Sequence, residues 1–421
     1  MGSASAASRR GHVLIICQVY VPDPASVGQH MADAAEELVR RGYDVSVLTA
    51  NRGYDDPAVE YPKREERCGV RVRRLPWCSF GKSSMIARLL GALSFVVQAA
   101  VRGIFPPRVD HLLVSTVPPM APLAALAVSF VRRVRLTFWV MDLNPDQMVV
   151  LGKLAPDAPL VRMLDWMNRR ILARADAVVV VDRFMAERVK RKRDVTRKLT
   201  ILAPWPHQAD PSNLPRLPNR FRNDHGLGEA RVVMYSGNHG PSHPLDTLLR
   251  AIRRRGHADS LRYVFVGGGV GKRDVEALDS ATVLSLPYQP FETLCDSLSA
   301  ADVHVVTMGN SVVGVNHPCK VYGAMAVSRP ILLIGPLRSH VGDLLRAHDI
   351  GWHVEHGDVD GLVEVLRQVG ELPLETLRAM GQRAGEVVAD SLDHRQMLGA
   401  FCDVVEGSPV PVNESREHQP A

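Results

Sequence analysis

The chain has few cysteines and few aromatic residues. Its six cysteines among 421 residues form no CxxC pair and no Cys/His set at zinc spacing, which argues against a disulfide scaffold and a structural zinc. Such cysteine usage is typical of a reducing compartment, so we expect a cytoplasmic protein. Aromatic residues make up 5% of the chain and no nucleic-acid-binding motif of standard spacing is present. We therefore expect no nucleic-acid partner.

Lysine is also scarce, whereas arginine is abundant. Only eight of the 51 basic residues are lysines, and the formal net charge is +6. We interpret the bias towards Arg, Ala and Val as the signature of a GC-rich, actinobacterial genome. A basic excess suits anionic partners, of which phosphorylated small molecules and membrane surfaces remain once nucleic acid is set aside.

No hydrophobic run has the purity of a transmembrane helix. Residues 83–103 contain two arginines and a glutamine, and residues 111–131 contain three prolines. We expect a buried helix in the first run and a strand, a loop and a helix in the second. Peripheral contact with a membrane stays open as the alternative, because three arginines follow closely at 132, 133 and 135.

Short β-branched runs alternate with helical patterns along the whole chain. This alternation predicts an α/β fold with doubly wound parallel sheets. The series stops at a proline-rich stretch near residues 204–218 and starts again with a strand at 231–236, so we predict two Rossmann-like domains in tandem. The predicted units are residues 1–204, residues 205–391, a last helix at about 392–406 and a disordered tail at 407–421.

Glycine-rich loops follow the first strands of the second domain. Gly237-Asn238-His239-Gly240 comes after one strand, and three glycines followed by Lys272 and Arg273 come after the next. Glycines at the carboxyl end of a parallel strand let the backbone approach a ligand, and free N–H groups suit an anion. A third loop carries Tyr288 and Gln289 between prolines and is rigid enough to present polar groups to a nucleobase.

Lys320 is the last lysine of the chain and falls in the first turn of a predicted helix. A compact ammonium at that place can neutralise a leaving diphosphate. The alternative is a solvated surface lysine. No carboxylate cluster indicates a metal site, so we expect none.

The first domain offers carboxylates at the end of one strand. Asp142 and Asp146 lie four residues apart in a loop that also holds Asn144, and either carboxylate could accept the proton of an acceptor. We favour Asp142, because Asp146 suits a helix cap. Gly28 and Gln29, after the first strand, open the first helix.

Together these segments resemble family 4 glycosyltransferases of the GT-B fold, over roughly residues 12–405. The matching motifs include 141–146, 235–240, 265–269, 286–290 and 318–323, and the branch that contains cell-surface aminosugar transferases is the most similar. The resemblance implies a nucleotide-diphosphate sugar as donor, GDP- or UDP-linked, no further cofactor and no essential metal. It also implies that the last helix packs back on the first domain.

The resemblance also implies residue roles. Asp142 would be catalytic, and Gly28, Gln29, Asn144 and Asp146 would line the acceptor side. The donor side would comprise Gly237, Asn238, His239, Gly240, Lys272, Arg273, Tyr288, Gln289, Asn316, His317 and Lys320. Val313 and Val321 stand where we place two glutamates of many family members. The residues expected to supply the missing contacts are His239, His243, Asn316 and His317.

The resemblance implies a metal-independent glycosyltransferase and leaves its acceptor open. We favour as acceptor a small molecule of bacterial secondary metabolism, such as a thiol in antibiotic biosynthesis that is S-glycosylated by a transferase of the lincosamide type. The alternative is a UDP-aminosugar transferase acting on a polyprenyl-linked saccharide in cell-surface polysaccharide assembly. A sugar-nucleotide epimerase and a non-catalytic GT-B partner subunit are further alternatives, and a homodimer stays open.

Overall fold

The computed structural model describes residues 10–23, 25–53, 56–78, 80, 85–105, 108–206, 218–256, 260–278 and 280–408. Two predictions fall partly outside these ranges. They are most of the proline-rich stretch and, beyond Ser408, the disordered tail.

The first domain is built on an eight-stranded sheet in the order β3-β4-β2-β1-β5-β6-β7-β8. All neighbours pair in parallel except β3 with β4. Most of the parallel strands are short runs of Val, Ile and Leu buried on both faces, as expected when helices cover both sides of a sheet. The strands are β1 (His12–Ile16), β2 (Asp44–Ala50), β3 (Arg64–Arg67), β4 (Val70–Leu75), β5 (His111–Ser115), β6 (Arg135–Val140), β7 (Ala177–Val180) and β8 (Leu199–Ile201).

The second domain contains a six-stranded sheet in the order β11-β10-β9-β12-β13-β14, with every neighbouring pair parallel. In both sheets the strand order reverses beside the first strand of the domain, which is where open α/β sheets bind ligands. The strands are β9 (Arg231–Ser236), β10 (Leu261–Val266), β11 (Val283–Leu286), β12 (Val303–Thr307), β13 (Ile331–Ile334) and β14 (Gly351–Val354).

Helices connect the strands of both sheets. Those of the first domain are α1 (Ser26–Arg40), α2 (Met85–Ile104), α3 (Ala121–Arg132), α4 (Asp146–Val150), α5 (Pro159–Arg174) and α6 (Arg183–Lys192). Those that follow are α7 (Arg220–Asp224), α8 (Asp246–Arg255), α9 (Lys272–Glu276), α10 (Leu294–Ser299), α11 (Lys320–Ala326), α12 (His340–Ala347), α13 (Val359–Glu371), α14 (Leu374–Ser391) and α15 (His394–Glu406). The predicted α/β class with two parallel-sheet domains is confirmed.

The last helix, α15, lies against the first domain. Phe401 on α15 packs 4.4 Å from Trp139 of β6 and 5.6 Å from Trp205, measured between ring centroids. Arg41 at the end of α1 donates to Asp403 at 2.6 Å and to Glu406 at 3.0 Å. A buried aromatic contact and a cluster of ion pairs therefore hold α15 in place.

The helix α2 differs from its prediction. The sequence indicates a buried helix, but Ile86, Leu90 and Val97 on α2 are each more than half exposed. The prediction is wrong because α2 is hydrophobic nearly all round, whereas only one side of it packs, against α3 and β4. In the described part of the chain, no helix combines the length and apolar character that a membrane span requires.

Candidate functional site

Glycines at the carboxyl ends of β9 and β10 allow the loops after these strands to meet each other and the Tyr288 loop after β11. Gly237, Gly267 and Gly269 have φ angles of +137°, +134° and +124°, which favour glycine strongly. A methyl group on Gly267 would clash with the carbonyl oxygen of Gly237, and one on Gly268 would lie 3.3 Å from the Tyr288 ring. The glycines therefore bring the backbones of these loops into direct contact, and phosphate binding at this edge stays a prediction.

Lys320 reaches this crossing from the first residue of α11. Its Nζ donates to the Tyr235 hydroxyl at 2.6 Å and lies 3.2 Å from where a Cβ of Gly237 would stand. Burial lowers the pKa of Lys320 from 10.5 to about 7. Within the described ranges no carboxylate forms an ion pair with Lys320. The cluster therefore holds a partly buried ammonium without a counter-ion, which is the arrangement that a diphosphate would stabilise.

His239 lies beside Lys320 with one free ring nitrogen. The residue is 2% exposed, and its Nδ1 lies 3.2 Å from the carbonyl oxygen of Gly268. Its Nε2 is buried and has no hydrogen-bond partner among the described residues. Burial lowers the pKa of His239, and the charges of Lys320 and Lys272 lower it further. A neutral imidazole with an unpaired nitrogen thus faces a cationic loop cluster, where a polar ligand atom would satisfy it.

The other predicted donor-side residues differ in exposure and in the contacts they make. Asn238 is exposed, and its carbonyl oxygen accepts from the Tyr235 hydroxyl at 2.7 Å. Lys272 folds back onto the Gly267 carbonyl at 3.2 Å, so it braces the loop. Arg273 is exposed on α9.

The remaining positions lie around the same edge. Gly240 is partly buried and accepts from the backbone of His243. Tyr288 is 56% exposed beside Gly268, and Gln289 is partly buried and donates to the Pro287 carbonyl at 3.1 Å. Tyr288 therefore offers a ring at the rim of the glycine loops, where a planar base could stack.

Asp142 faces the second domain from the end of β6. Its Oδ1 accepts a hydrogen bond from Nδ2 of Asn316 at 2.6 Å, and Asn316 also receives the Ser242 hydroxyl at 3.5 Å. Burial raises the pKa of Asp142 to about 6, whereas the hydrogen bond from Asn316 and the charge of His317 lower it. Asn316 thus links the predicted catalytic carboxylate to the loop after β9 in the donor domain.

The loop 310–319 of the second domain contacts the first domain through hydrogen bonds. The Leu143 N–H donates to the Val315 carbonyl at 2.9 Å, and Arg188 donates to the Val313 carbonyl at 2.8 Å. Gly314 has a φ angle of +69°, and a Cβ there would clash with the Phe184 carbonyl. The domains are therefore joined beside Asp142 through backbone contacts.

His317 has a structural position that the sequence did not indicate. Its Nδ1 lies 2.7 Å from the Asp182 carboxylate, and its Nε2 lies 2.6 Å from the Tyr322 hydroxyl. Tyr322 also contacts Nε2 of His340 at 2.8 Å. Both ring nitrogens of His317 are thus engaged in a buried chain that crosses the domain interface, which leaves neither for the predicted contact with the donor.

The predicted acceptor-side residues differ in whether packing alone explains them. Gly28 lies inside α1, where a Cβ would come within 3.1 Å of the Tyr20 backbone, so close packing of the helix explains this glycine without a ligand. Gln29 is partly buried on the same helix. Asn144 accepts from Asn168 through its carbonyl, and its Oδ1 is buried without a partner among the described residues.

Asp146 begins α4 and does not reach the cleft as a free carboxylate. Lys192 pairs with it at 2.7 Å and with Asp165 at 2.6 Å. Pro145 is the N-cap of α4, so the prediction that Asp146 caps the helix is wrong; an ion pair holds this carboxylate instead. Among the described residues, no group of three or more His, Cys, Asp or Glu side chains could hold a metal ion.

Sequence reasoning missed the residues that connect the predicted ones. Tyr235 lies in a quoted motif, but nothing in the sequence shows that its hydroxyl meets Lys320 85 positions later. Asp182 and Tyr322 are separated by most of the second domain. Their only sequence signal is position, since Asp182 follows a strand and caps α6 by accepting from Met185 at 2.8 Å.

Known proteins share this architecture. Residues 26–205 match a family model described as a glycosyl transferase 4-like domain. A protein described as a probable glycosyltransferase, WbjE from Pseudomonas aeruginosa, is 24% identical over 375 residues, which is 87% of this chain and 91% of that one.

Solved structures extend the likeness to the whole fold. Anabaena HepE, in complex with UDP and glucose, has a TM-score of 0.69 at 14% identity and covers 94% of this chain and 100% of its own. WaaG, described as a glycosyltransferase involved in lipopolysaccharide biosynthesis, has a TM-score of 0.68 at 16% identity with the same coverage. At such identities the likeness shows the fold. Residues 26–205 therefore resemble a glycosyl transferase 4-like domain, and the chain has the two-domain GT-B fold of these solved structures.

Proposed function

We propose that the protein is a glycosyltransferase that moves a sugar from a nucleotide-diphosphate sugar to an acceptor held against the first sheet. The observation that carries the proposal is the Lys320 ammonium, partly buried, without a carboxylate partner in the described chain, and enclosed by the glycine loops of β9 and β10. A diphosphate would supply the missing counter-charge. Lys320 would then stabilise the negative charge that develops on the leaving nucleotide.

Asp142 is the group that would act on the acceptor. It lies across the cleft from the glycine loops, connected to them through Asn316. With a pKa of about 6, it is mostly ionised at neutral pH and can accept the proton of an attacking hydroxyl or thiol. The proposal keeps the sequence prediction that no metal takes part, because Lys320 and the loop N–H groups would carry the charge compensation.

The donor base is proposed on fewer observations. The exposed Tyr288 ring beside Gly268 would stack on the base, with Gln289 at its edge. HepE is described in complexes with UDP and with UDP-glucose, which favours UDP over GDP as the nucleotide of this chain as well.

Two acceptor classes follow from the sequence. The small-molecule hypothesis, including the thiol acceptor, rests on composition and on the atypical donor segment. The lipid-linked saccharide hypothesis has the added support of WaaG, whose description places it in lipopolysaccharide biosynthesis. We therefore propose a lipid-linked saccharide first and keep the small molecule as the competing acceptor.

The test is sugar transfer from radiolabelled UDP- and GDP-sugars without added metal. Total lipid extract and an aqueous small-molecule extract from the same bacterial cells serve as separate acceptor pools. Label in the organic phase supports the lipid-linked acceptor, and label on a water-soluble product supports the small molecule. Lys320→Met should abolish either signal, whereas Lys153→Met, at an exposed lysine, should leave it unchanged. Nucleotide binding without transfer to either pool would favour a non-catalytic subunit.

A further inference from the structure

An apolar surface runs along α2 in the first domain. Its members recur every three or four residues on one side of the helix, and each is more than 40% exposed. We call this surface the α2 face; it comprises Ile86, Leu89, Leu90, Leu93, Val97 and Val101. It spans about 22 Å along the helix axis. Scattered exposed leucines are ordinary, but a continuous row of six is typical of a surface that is covered in use.

Large exposed side chains extend the α2 face at both ends. Trp77, 71% exposed, precedes the helix, and Phe105, 78% exposed, follows it. Phe130 of α3, which packs against α2, is 82% exposed. Trp166 of α5, which packs against α3, is 53% exposed, and the Arg170 guanidinium lies 5.3 Å from its ring centroid. Exposed tryptophan beside arginine is the composition of surfaces that lie at the boundary between water and lipid.

Acidic residues are scarce on the helices that carry the exposed apolar side chains. Helices α2, α3 and α5 contain one acidic residue, Asp165, and it is already paired with Lys192 and Arg169. A groove of about 400 Å³ opens beside the end of α2, between this helix and strands β2–β4. We call it the arginine groove, after its four arginines: Arg64, Arg71, Arg73 and Arg102.

Arginines outnumber acids in the arginine groove, which Glu65 and Glu66 also line. In the described chain none of its four arginines forms an ion pair with a carboxylate, and Glu65 in the same groove is paired with Arg74 at 2.8 Å. Burial and the nearby charges of Arg102 and Arg64 lower the pKa of Arg73. Guanidinium groups that face one another are unfavourable by themselves, so the groove suits an anion such as a phosphate group.

We propose that the α2 face and the arginine groove seat this protein on an anionic phospholipid membrane. Lipid phosphates would occupy the groove, and the α2 face would lie in the boundary region of the bilayer. A second copy of the chain is the weaker occupant, because a two-fold contact through this surface would bring arginines against arginines. The proposal concerns attachment only and holds for any acceptor, so it does not depend on sugar transfer.

Vesicle flotation of the full chain tests the proposal. Wild type should float with vesicles of phosphatidylcholine and phosphatidylglycerol, much less with phosphatidylcholine alone, and less at high salt. Leu90→Glu/Leu93→Glu should lower the bound fraction at least tenfold. Arg71→Gln/Arg73→Gln should lower it by about fivefold for each arginine removed. The matched controls, Val270→Glu and Arg378→Gln in the second domain, replace exposed side chains far from this surface and should float like wild type.

Three outcomes would overturn the proposal. Wild type that fails to float with anionic vesicles contradicts it, as does equal flotation with neutral vesicles. The third is a wild-type dimer in light scattering that the leucine variant converts to a monomer while vesicle binding is absent, since the α2 face would then bind a second copy. Thermal melting of each variant shows whether it is folded. Because flotation needs no nucleotide, its failure is distinguishable from failure of the proposed transfer reaction.

Discussion

Binding of a nucleoside diphosphate should draw a proton onto Lys320. Burial lowers the pKa of Lys320 to about 7, so at pH 8 only about a tenth of the free protein carries the charged ammonium. A bound diphosphate would favour the charged form and raise this pKa. We expect uptake of about 0.9 proton per nucleotide at pH 8, and an affinity that falls about tenfold per pH unit above pH 7 until the pKa of the complex is reached.

Calorimetric titration with UDP in two buffers of different ionisation enthalpy measures this uptake directly. The working range is pH 7.5–9, above the phosphate's own ionisation near pH 6. Lys320→Met should bind about ten- to a hundredfold more weakly at pH 7.5, as expected for the loss of a charge-assisted hydrogen bond, and should show no uptake. Lys153→Met, at an exposed lysine, should retain it. Tight binding without proton uptake in wild type would refute the placement of the diphosphate at Lys320.

The same lowered pKa makes a stability prediction for the protein without nucleotide. The pKa of Lys320 in the folded state lies below its value in the unfolded chain, so the unfolded state binds more protons between about pH 7 and 10.5. The free energy of unfolding should therefore rise with pH in that window. Lys320→Met should unfold at a higher denaturant concentration than wild type at pH 7, and this advantage should shrink towards pH 10.

Three further predictions concern the loops, the carboxylate and the last helix. Gly267→Ala should lower nucleotide affinity more than tenfold in calorimetry, because the methyl group clashes with the neighbouring loop, whereas Gly226→Ala, also at positive φ but in open space, should bind normally. Transfer activity should fall as pH drops through about 6, and Asn316→Ala should move this limb to higher pH, since it removes a hydrogen bond that favours ionised Asp142. Phe401→Ala should cost about 3–5 kcal/mol of unfolding free energy in denaturant titration; a cost below 1 kcal/mol would contradict its packing role.

Much of the fold could be predicted because it is encoded locally. Strands such as β7 and β13 are short apolar runs between polar turns, and β5, β6 and β9 follow the same pattern. The strand β3 could not be found, since its sequence Arg-Glu-Glu-Arg contains no apolar residue and its partner β4 defines it. The exposure of the α2 face could not be predicted either, because it depends on which other elements pack against α2. The sequence of an apolar helix does not show which of its sides are covered.

The site was predictable only where composition marks it. Lys320 was predictable because lysine is rare in this arginine-rich chain. Gly237 and Gly267 were predictable because they directly follow strands. The role of His317 could not be predicted, because its partners Asp182 and Tyr322 meet only when the two domains come together.

The most direct test of the account is a crystal structure with UDP and no added metal. The account predicts the diphosphate at the glycine loops, with its oxygens within hydrogen-bond distance of Lys320 Nζ and His239 Nε2, and the uracil ring against Tyr288. A nucleotide bound elsewhere, or bound at these loops with Lys320 still held only by Tyr235, would contradict the central claim that Lys320 receives the leaving diphosphate.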